Sequence, residues 1–220
     1  MTIEVKYARV KQHTVYKVNG KRVPGVTTIL GILNKPALVR WANNLGLQGI
    51  DSTKYVDALA NIGTLSHYLV ECEWRGVEPD LSDYAPQDID RAENALLSFW
   101  AWRDQHEVEP HLVEEPMVSE QYLYGGTIDC YATVDGKLTL IDLKTGKGIF
   151  PEHIHQLAAY KNLLVERGCP VANVRILRIG RDETEGFEDR VFDLASLLPH
   201  WEIFLACRRI YDLQKQIRRQ

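Results

Sequence analysis

Between residues 110 and 144 the chain carries three strand-like runs whose connections are too short for any crossover. Residues 110–119 and 122–134 read as strands, the second broken near its start by Gly125-Gly126. Asp135-Gly136 then turns into a third run, Leu138-Thr139-Leu140-Ile141-Asp142-Leu143-Lys144. Such connections join sequential strands as an antiparallel meander. Side chains alternate along a strand, so Asp142 and Lys144 leave one face about 7 Å apart. A core strand needs no charges at its end, and burying them is costly unless they are paired. Asp129 stands in an equally apolar context on the preceding strand, where aspartate is disfavoured. Neighbouring strands let Asp129 and Asp142 converge on one point.

The rest of the chain supplies helices and a few more strands. Residues 4–10 and 13–18 alternate apolar and polar side chains, and Asn19-Gly20 marks a type I′ turn, so a Lys/Arg-rich N-terminal hairpin is expected. Thr27 or Thr28 is the expected cap of a short helix ending near Leu33. Pro36 opens a second helix, to about Leu45, with Gly46 closing it. Trp41 on that helix suits either a packed core or a stacked base. Residues 51–75 are helical with Gly76 as the stop, and Gly63, His67 and Glu71 fall one turn apart on one stripe. That stripe fits a satisfied core histidine and a polar site equally well. A helix over 87–106 turns Ile89, Ala92, Leu96, Phe99 and Trp100 inward. Residues 152–167 form another, placing Gln156 and Tyr160 one turn apart. Strands at 174–179 and 188–192 precede a last helix over 194–217.

Length suits one domain, 1–220, with a basic segment over 1–50 and a core over 51–220. No apolar run approaches the roughly 20 residues of a membrane span, and no apolar leader opens the chain. The expected setting is cytoplasmic. Cys72, Cys130, Cys169 and Cys207 are scattered without C-x-x-C spacing and read as small, mostly buried thiols. The net charge of −4 conceals segregation: residues 1–50 hold eight Lys/Arg against Glu4, and residues 78–120 hold twelve acids against two arginines. Arg208, Arg209, Lys215, Arg218 and Arg219 make the C-terminus basic again. Two basic regions in an acidic protein allow a polyanionic partner.

Two carboxylates and a lysine on adjacent strands, with a His/Glu pair on a helix, suit metal-assisted phosphodiester hydrolysis. Hard oxygen ligands such as Asp129 and Asp142 favour Mg²⁺ or Mn²⁺. Lys144 would orient a water and counter charge on the phosphoryl group. The alternative for Asp142 and Lys144 is a strand-end salt bridge, worth about 0–1 kcal/mol if exposed. His153-x-His155 lacks the spacing for zinc on a helix. Lys144-Thr145-Gly146-Lys147-Gly148 lacks the upstream glycine and the following Ser/Thr of a phosphate loop.

At these positions the chain resembles the PD-(D/E)XK nuclease superfamily, in its RecB-like branch. The matching pieces run in order: Gly63-Thr64-Leu65-Ser66-His67 with Glu71, Gly126-Thr127-Ile128-Asp129, Asp142-Leu143-Lys144, and Gln156-Leu157-Ala158-Ala159-Tyr160. The Val-Pro-Gly-Val-Thr-Thr-Ile-Leu run ending at Leu30 and Arg40-Trp41 also look like phage and mitochondrial members. The resemblance implies an α/β, restriction-endonuclease-like core: a mixed central β-sheet flanked by helices, with an N-terminal β-hairpin and a helical insertion. It implies a Mg²⁺- or Mn²⁺-dependent deoxyribonuclease, an exonuclease on DNA ends or single strands in recombination, repair or phage DNA metabolism. Recombination or replication proteins are implied partners, in a bacterial or phage-infected cytoplasm. Its metal ligands would be His67, Asp129, Asp142 and the Leu143 carbonyl. Lys144 would be the catalytic lysine, with Gln156 and Tyr160 on the substrate phosphate or on Lys144, and Glu71 supporting His67 or a second ion. Some members hold an iron–sulfur cluster on one upstream cysteine and a tight C-terminal group, which these dispersed cysteines do not match. A nuclease-like fold serving only as a DNA-binding or assembly module is the alternative.

Overall fold

A computed structural model describes residues 14–33 and 35–218. The hairpin strands β1 (Lys17–Val18) and β2 (Lys21–Arg22) pair antiparallel across Asn19 and Gly20, whose φ of 49° and 74° are those of a type I′ turn. The expected strand over 4–10 lies outside the described residues. Helix α1 (Val26–Leu30) begins two or three residues earlier than expected and ends three before Leu33; Gly25 caps it without a side-chain bond, so Thr27 and Thr28 lie inside it. Helix α2 (Pro36–Leu47) runs through Gly46, and Gly49 at φ 73° takes the left-handed turn instead. Helix α3 (Ser52–Arg75) has the expected bounds. The Asp51 carboxylate accepts the Thr53 and Lys54 amides, and Gly76 closes the helix at φ 65°. Helix α4 (Pro86–Arg103) follows.

The main sheet holds β3 (Val108–Ser119), β4 (Tyr124–Val134), β5 (Lys137–Lys144), β6 (Asn173–Ile179) and β7 (Phe187–Phe192), in sequence order. Strands β3, β4 and β5 form the expected antiparallel meander. Helix α5 (Pro151–Glu166) carries the chain across so that β6 pairs parallel to β5, and β7 pairs antiparallel to β6. A 3₁₀ turn (Leu194–Leu197) leads into α6 (Leu198–Ile217), which therefore starts later than residue 194. The architecture is α/β, a five-stranded mixed sheet with helices on both faces and an antiparallel N-terminal hairpin.

One core packs α1, α5 and α6 on the sheet through Tyr124, Ile128, Leu140, Leu157, Leu163 and Phe204. The other packs α3 and α4 through Leu65, Leu69, Phe99, Trp102, Cys130, Ile141 and Leu143. These two lists expose an irregularity. On β4, Tyr124 and Ile128 belong to the α5–α6 side, whereas Cys130, Ala132 and Val134 belong to the α3–α4 side. Even-numbered residues thus change face between 128 and 130, which a period-two strand cannot do without a break. On β3, Val113 lies with the α3–α4 core and Met117 with the other, so the change occurs at the same level. Between Val113↔Cys130 and Glu115↔Ile128, Glu114 stands opposite Asp129, and Glu114 has φ 50°. The site is built at this fault.

Candidate active site

The β4–β5 ladder ends at Cys130↔Ile141, while β5 continues to Lys144 paired with β6. Beyond that rung the Asp129 side chain takes the place of a backbone partner: its Oδ2 accepts the Leu143 amide at 2.7 Å. Asp129 is thereby fixed by the residue between Asp142 and Lys144. Its Oδ1 lies 3.6 Å from His67 Nδ1, presented by α3. Ligand atoms of His67, Glu114 and Asp129 all lie within 4.8 Å of one another.

Two glycines set this geometry by having no side chain. A Cβ on Gly63 would meet the Thr145 hydroxyl at 2.6 Å, so glycine lets α3 approach the end of β5 and bring His67 in, one turn on. A Cβ on Gly126 would meet the Tyr160 ring at 2.4 Å, so glycine lets α5 settle on β4 beside Asp129.

Asp142 is 1% exposed and forms an ion pair with Lys144 through Oδ2, while no donor meets either oxygen in hydrogen-bond geometry. Burial pushes its carboxyl up from 3.8 to about 6, against the pull of Lys144 and with a further push from Asp129. Gln156 donates to the Tyr160 hydroxyl at 2.8 Å. Burial, then the Asp142 charge, holds that phenol well above its usual range, so Tyr160 keeps its proton. His153 also stands near Lys144: burial and then the lysine's charge push its imidazole down to about 4. Its Nδ1 accepts the Phe150 amide at 3.3 Å, while His155 turns to His200, with Nδ1 atoms 2.8 Å apart. The two histidines of His153-x-His155 therefore face different partners.

The expected residues His67, Asp129, Asp142, Lys144, Gln156 and Tyr160 thus gather around the end of β5. Asp142 is turned to Lys144 and stands outside the His67/Glu114/Asp129 group. Glu71 does not support His67; it accepts Arg75 Nε at 2.9 Å, and Arg75 Nη2 donates to the Val113 carbonyl at 2.6 Å. An i, i+4 pair of opposite charges on one helix prefers that contact. Its consequence is to brace α3 against the strand residue beside Glu114. Sequence reasoning missed Glu114 because one acid in the Val113-Glu114-Glu115-Pro116 run of an edge strand looks like any solvated side chain. Only its left-handed backbone and its place opposite Asp129 distinguish it. Trp41, 36% exposed and tilted against Tyr55 at 5.9 Å, is not a core residue.

A cleft of about 410 Å³ lined by Val56, Leu59, Ala60, Gly63, His67, Thr145 and neighbours opens His67 to solvent. Among the described residues no helix is long and apolar enough to cross a membrane.

No family model and no curated protein matches the sequence. Among solved structures, the crystal structure of SSO0001 is similar over 64% of this chain and 72% of its own, at 14% identity and a TM-score of 0.31. That likeness is too slight to bear on fold or function.

Proposed function

We propose that this protein is a divalent-metal-dependent DNA nuclease with a restriction-endonuclease-like core, acting as an exonuclease on DNA ends. The observation that carries the reading is the convergence of His67, Glu114 and Asp129 beside a buried Asp142 whose ion-pair partner is the Lys144 ammonium. Burial holds the Asp142 carboxyl high even with Lys144 beside it, and a metal cation would offset the cost of ionising it further. The donor set, three carboxylates and one imidazole, fits Mg²⁺ or Mn²⁺. His67, Glu114 and Asp129 would hold the ion, joined by Asp142 when it turns from Lys144 and by the Leu143 carbonyl. The ion, when bound, supplies Lewis-acid polarisation of a phosphoryl oxygen and a lowered pKa for water.

The chain's own groups do the rest. Lys144, released from Asp142, holds the attacking water or a phosphoryl oxygen with its ammonium. Tyr160 accepts from Gln156 and so has its own O–H proton left to donate to a substrate oxygen. Asp129, tied to the Leu143 amide, cannot swing away from the ion. Neutral His153 adds no second positive charge beside Lys144. Phosphodiester cleavage at useful rates requires barrier lowering within the enzyme range of about 8–23 kcal/mol, most of it from positioned charge.

The experiment is incubation with single- and double-stranded DNA labelled at either end, in Mg²⁺, Mn²⁺ or EDTA. Metal-dependent shortening, absent in Asp142→Ala and Lys144→Ala protein, is expected. DNA binding without cleavage in any metal would leave a binding or assembly module in its place.

A further inference from the structure

The two basic segments at opposite ends of the sequence meet in one cavity. It measures about 760 Å³ and lies between the hairpin, α1 and α6, with Tyr16, Arg22, Thr27, Thr28, Tyr211 and Lys215 on its wall. Among the described residues no carboxylate lines it. Arg22 and Lys215 form no ion pair among the described residues; Lys215 lies over the Tyr211 ring at 5.9 Å. Hydroxyl groups and two cations face the same space, which is chemistry for a phosphate, and the tyrosine rings offer a stacking surface.

The cavity also connects to the candidate active site. The Tyr16 ring sits where a Cβ on Gly125 would be, 2.2 Å from its nearest carbon, and the Tyr16 hydroxyl bonds Thr127 Oγ1 at 3.0 Å. Thr127 precedes Asp129 by two residues on β4, about 7 Å along the strand. Tyr16 is close enough to raise the pKa of Tyr160. A second recess of about 400 Å³ shares Arg22, Tyr211 and Lys215 and adds Lys21 and Arg208, with Asp212, paired to Arg208, also on its wall.

We propose that this cavity is a nucleotide subsite of the enzyme, holding a backbone phosphate and base of single-stranded DNA next to the reacting phosphodiester. Arg22 and Lys215 bind the phosphate, Tyr211 stacks on the base, and Tyr16 is the wall shared with the active site. The volume admits a nucleotide or two, and a base stacked on Tyr211 is one that has left its pairing partner. This inference rests on the nuclease reading.

The test measures binding of a fluorescein-labelled oligothymidylate by anisotropy, in EDTA, over a range of salt concentrations. Arg22→Gln/Lys215→Gln protein is expected to bind at least tenfold more weakly at low salt. The slope of log affinity against log salt should shrink by about 1.4, from two lost phosphate contacts at roughly 0.7 each. Tyr211→Ala should weaken binding tenfold with the slope unchanged, as lost stacking requires. Mn²⁺ affinity, measured by calorimetry, should stay at the wild-type value in both and shows that they fold. If the double variant binds like wild type while wild type cleaves the oligonucleotide, the subsite is wrong and the nuclease reading stands. If wild type neither binds nor cleaves DNA, both fall. If thymidine monophosphate binds the wild type, needs Arg22 and Lys215, and the oligonucleotide does not need them, the cavity belongs to a free nucleotide and the strand assignment is overturned.

Discussion

Asp142→Asn should make the metal-free protein more stable while removing the proposed cleavage activity. In the fold, burial raises the Asp142 carboxyl from 3.8 to about 6. The folded chain therefore keeps a proton that the unfolded chain has released, in the window from about pH 4 to about pH 6. Stability from this group is complete below that window and is lost as pH rises through the folded value. Above it, the fold carries the full cost of an ionised buried carboxylate, roughly 3 kcal/mol for a shift of about two pK units. Asparagine removes the cost but also the ion pair with Lys144. That ammonium is 18% exposed and reaches water once released. The net gain is about 1–3 kcal/mol near pH 8, or roughly 3–10 °C in melting temperature for a chain of this size. Thermal melts in EDTA across pH check it, and the gap between variant and wild type should close towards about pH 4. A variant no more stable at pH 8, or one whose advantage is the same at pH 4.5, would refute the account of Asp142 as a costly charge kept for a cation.

Other substitutions probe the surrounding geometry. Gly63→Ala drives a Cβ into the Thr145 hydroxyl at 2.6 Å and should cost about 1–3 kcal/mol with loss of cleavage; adding Thr145→Ala should restore both, measured by melts and end-labelled DNA. Glu114→Gln should lower Mn²⁺ affinity at least tenfold by calorimetry with the melting temperature unchanged. Glu114→Gly should weaken it equally yet raise stability by about 1 kcal/mol, because φ 50° is strained for any residue with a Cβ. His155 and His200 are both held below the usual imidazole range by burial, so stability is lost as pH falls below about 6.5. His200→Gln should flatten that part of the melting curve's pH dependence, read by the same scans.

Much of the fold was legible because local chemistry and tertiary structure agree. Asp51 and Gly76 bound α3 as cap residues should, Asn19-Gly20 and Asp135-Gly136 turn where expected, and alternation marks the meander. Helix α1 was misread because threonines suited to capping stand second and third in a five-residue helix that takes Gly25 as its cap. The stripe of Gly63 and His67 was legible because helical spacing carries it. Glu71 turns to Arg75 rather than His67 because Arg75, one turn further on, offers it an opposite charge on the same helix. Glu114 could not be read at all: its position depends on a backbone conformation foreign to strands and on register with a residue fifteen positions away.

That register has a further meaning. Remove Glu114 and Asp129 together, and Val113 would adjoin Glu115 as Cys130 adjoined Ile128. The rungs on either side already match; β4 would then alternate without a break, and β3 would keep only its irregularity between Pro110 and Leu112. The two acids behave as a paired insertion at one level of the hairpin. A hairpin without this fault would not bring Glu114 and Asp129 to one point beside His67, where the proposed function puts its cation. The most regular version of this hairpin would therefore be the inert one, and improvement by consensus or by design at these two positions should erase the site first.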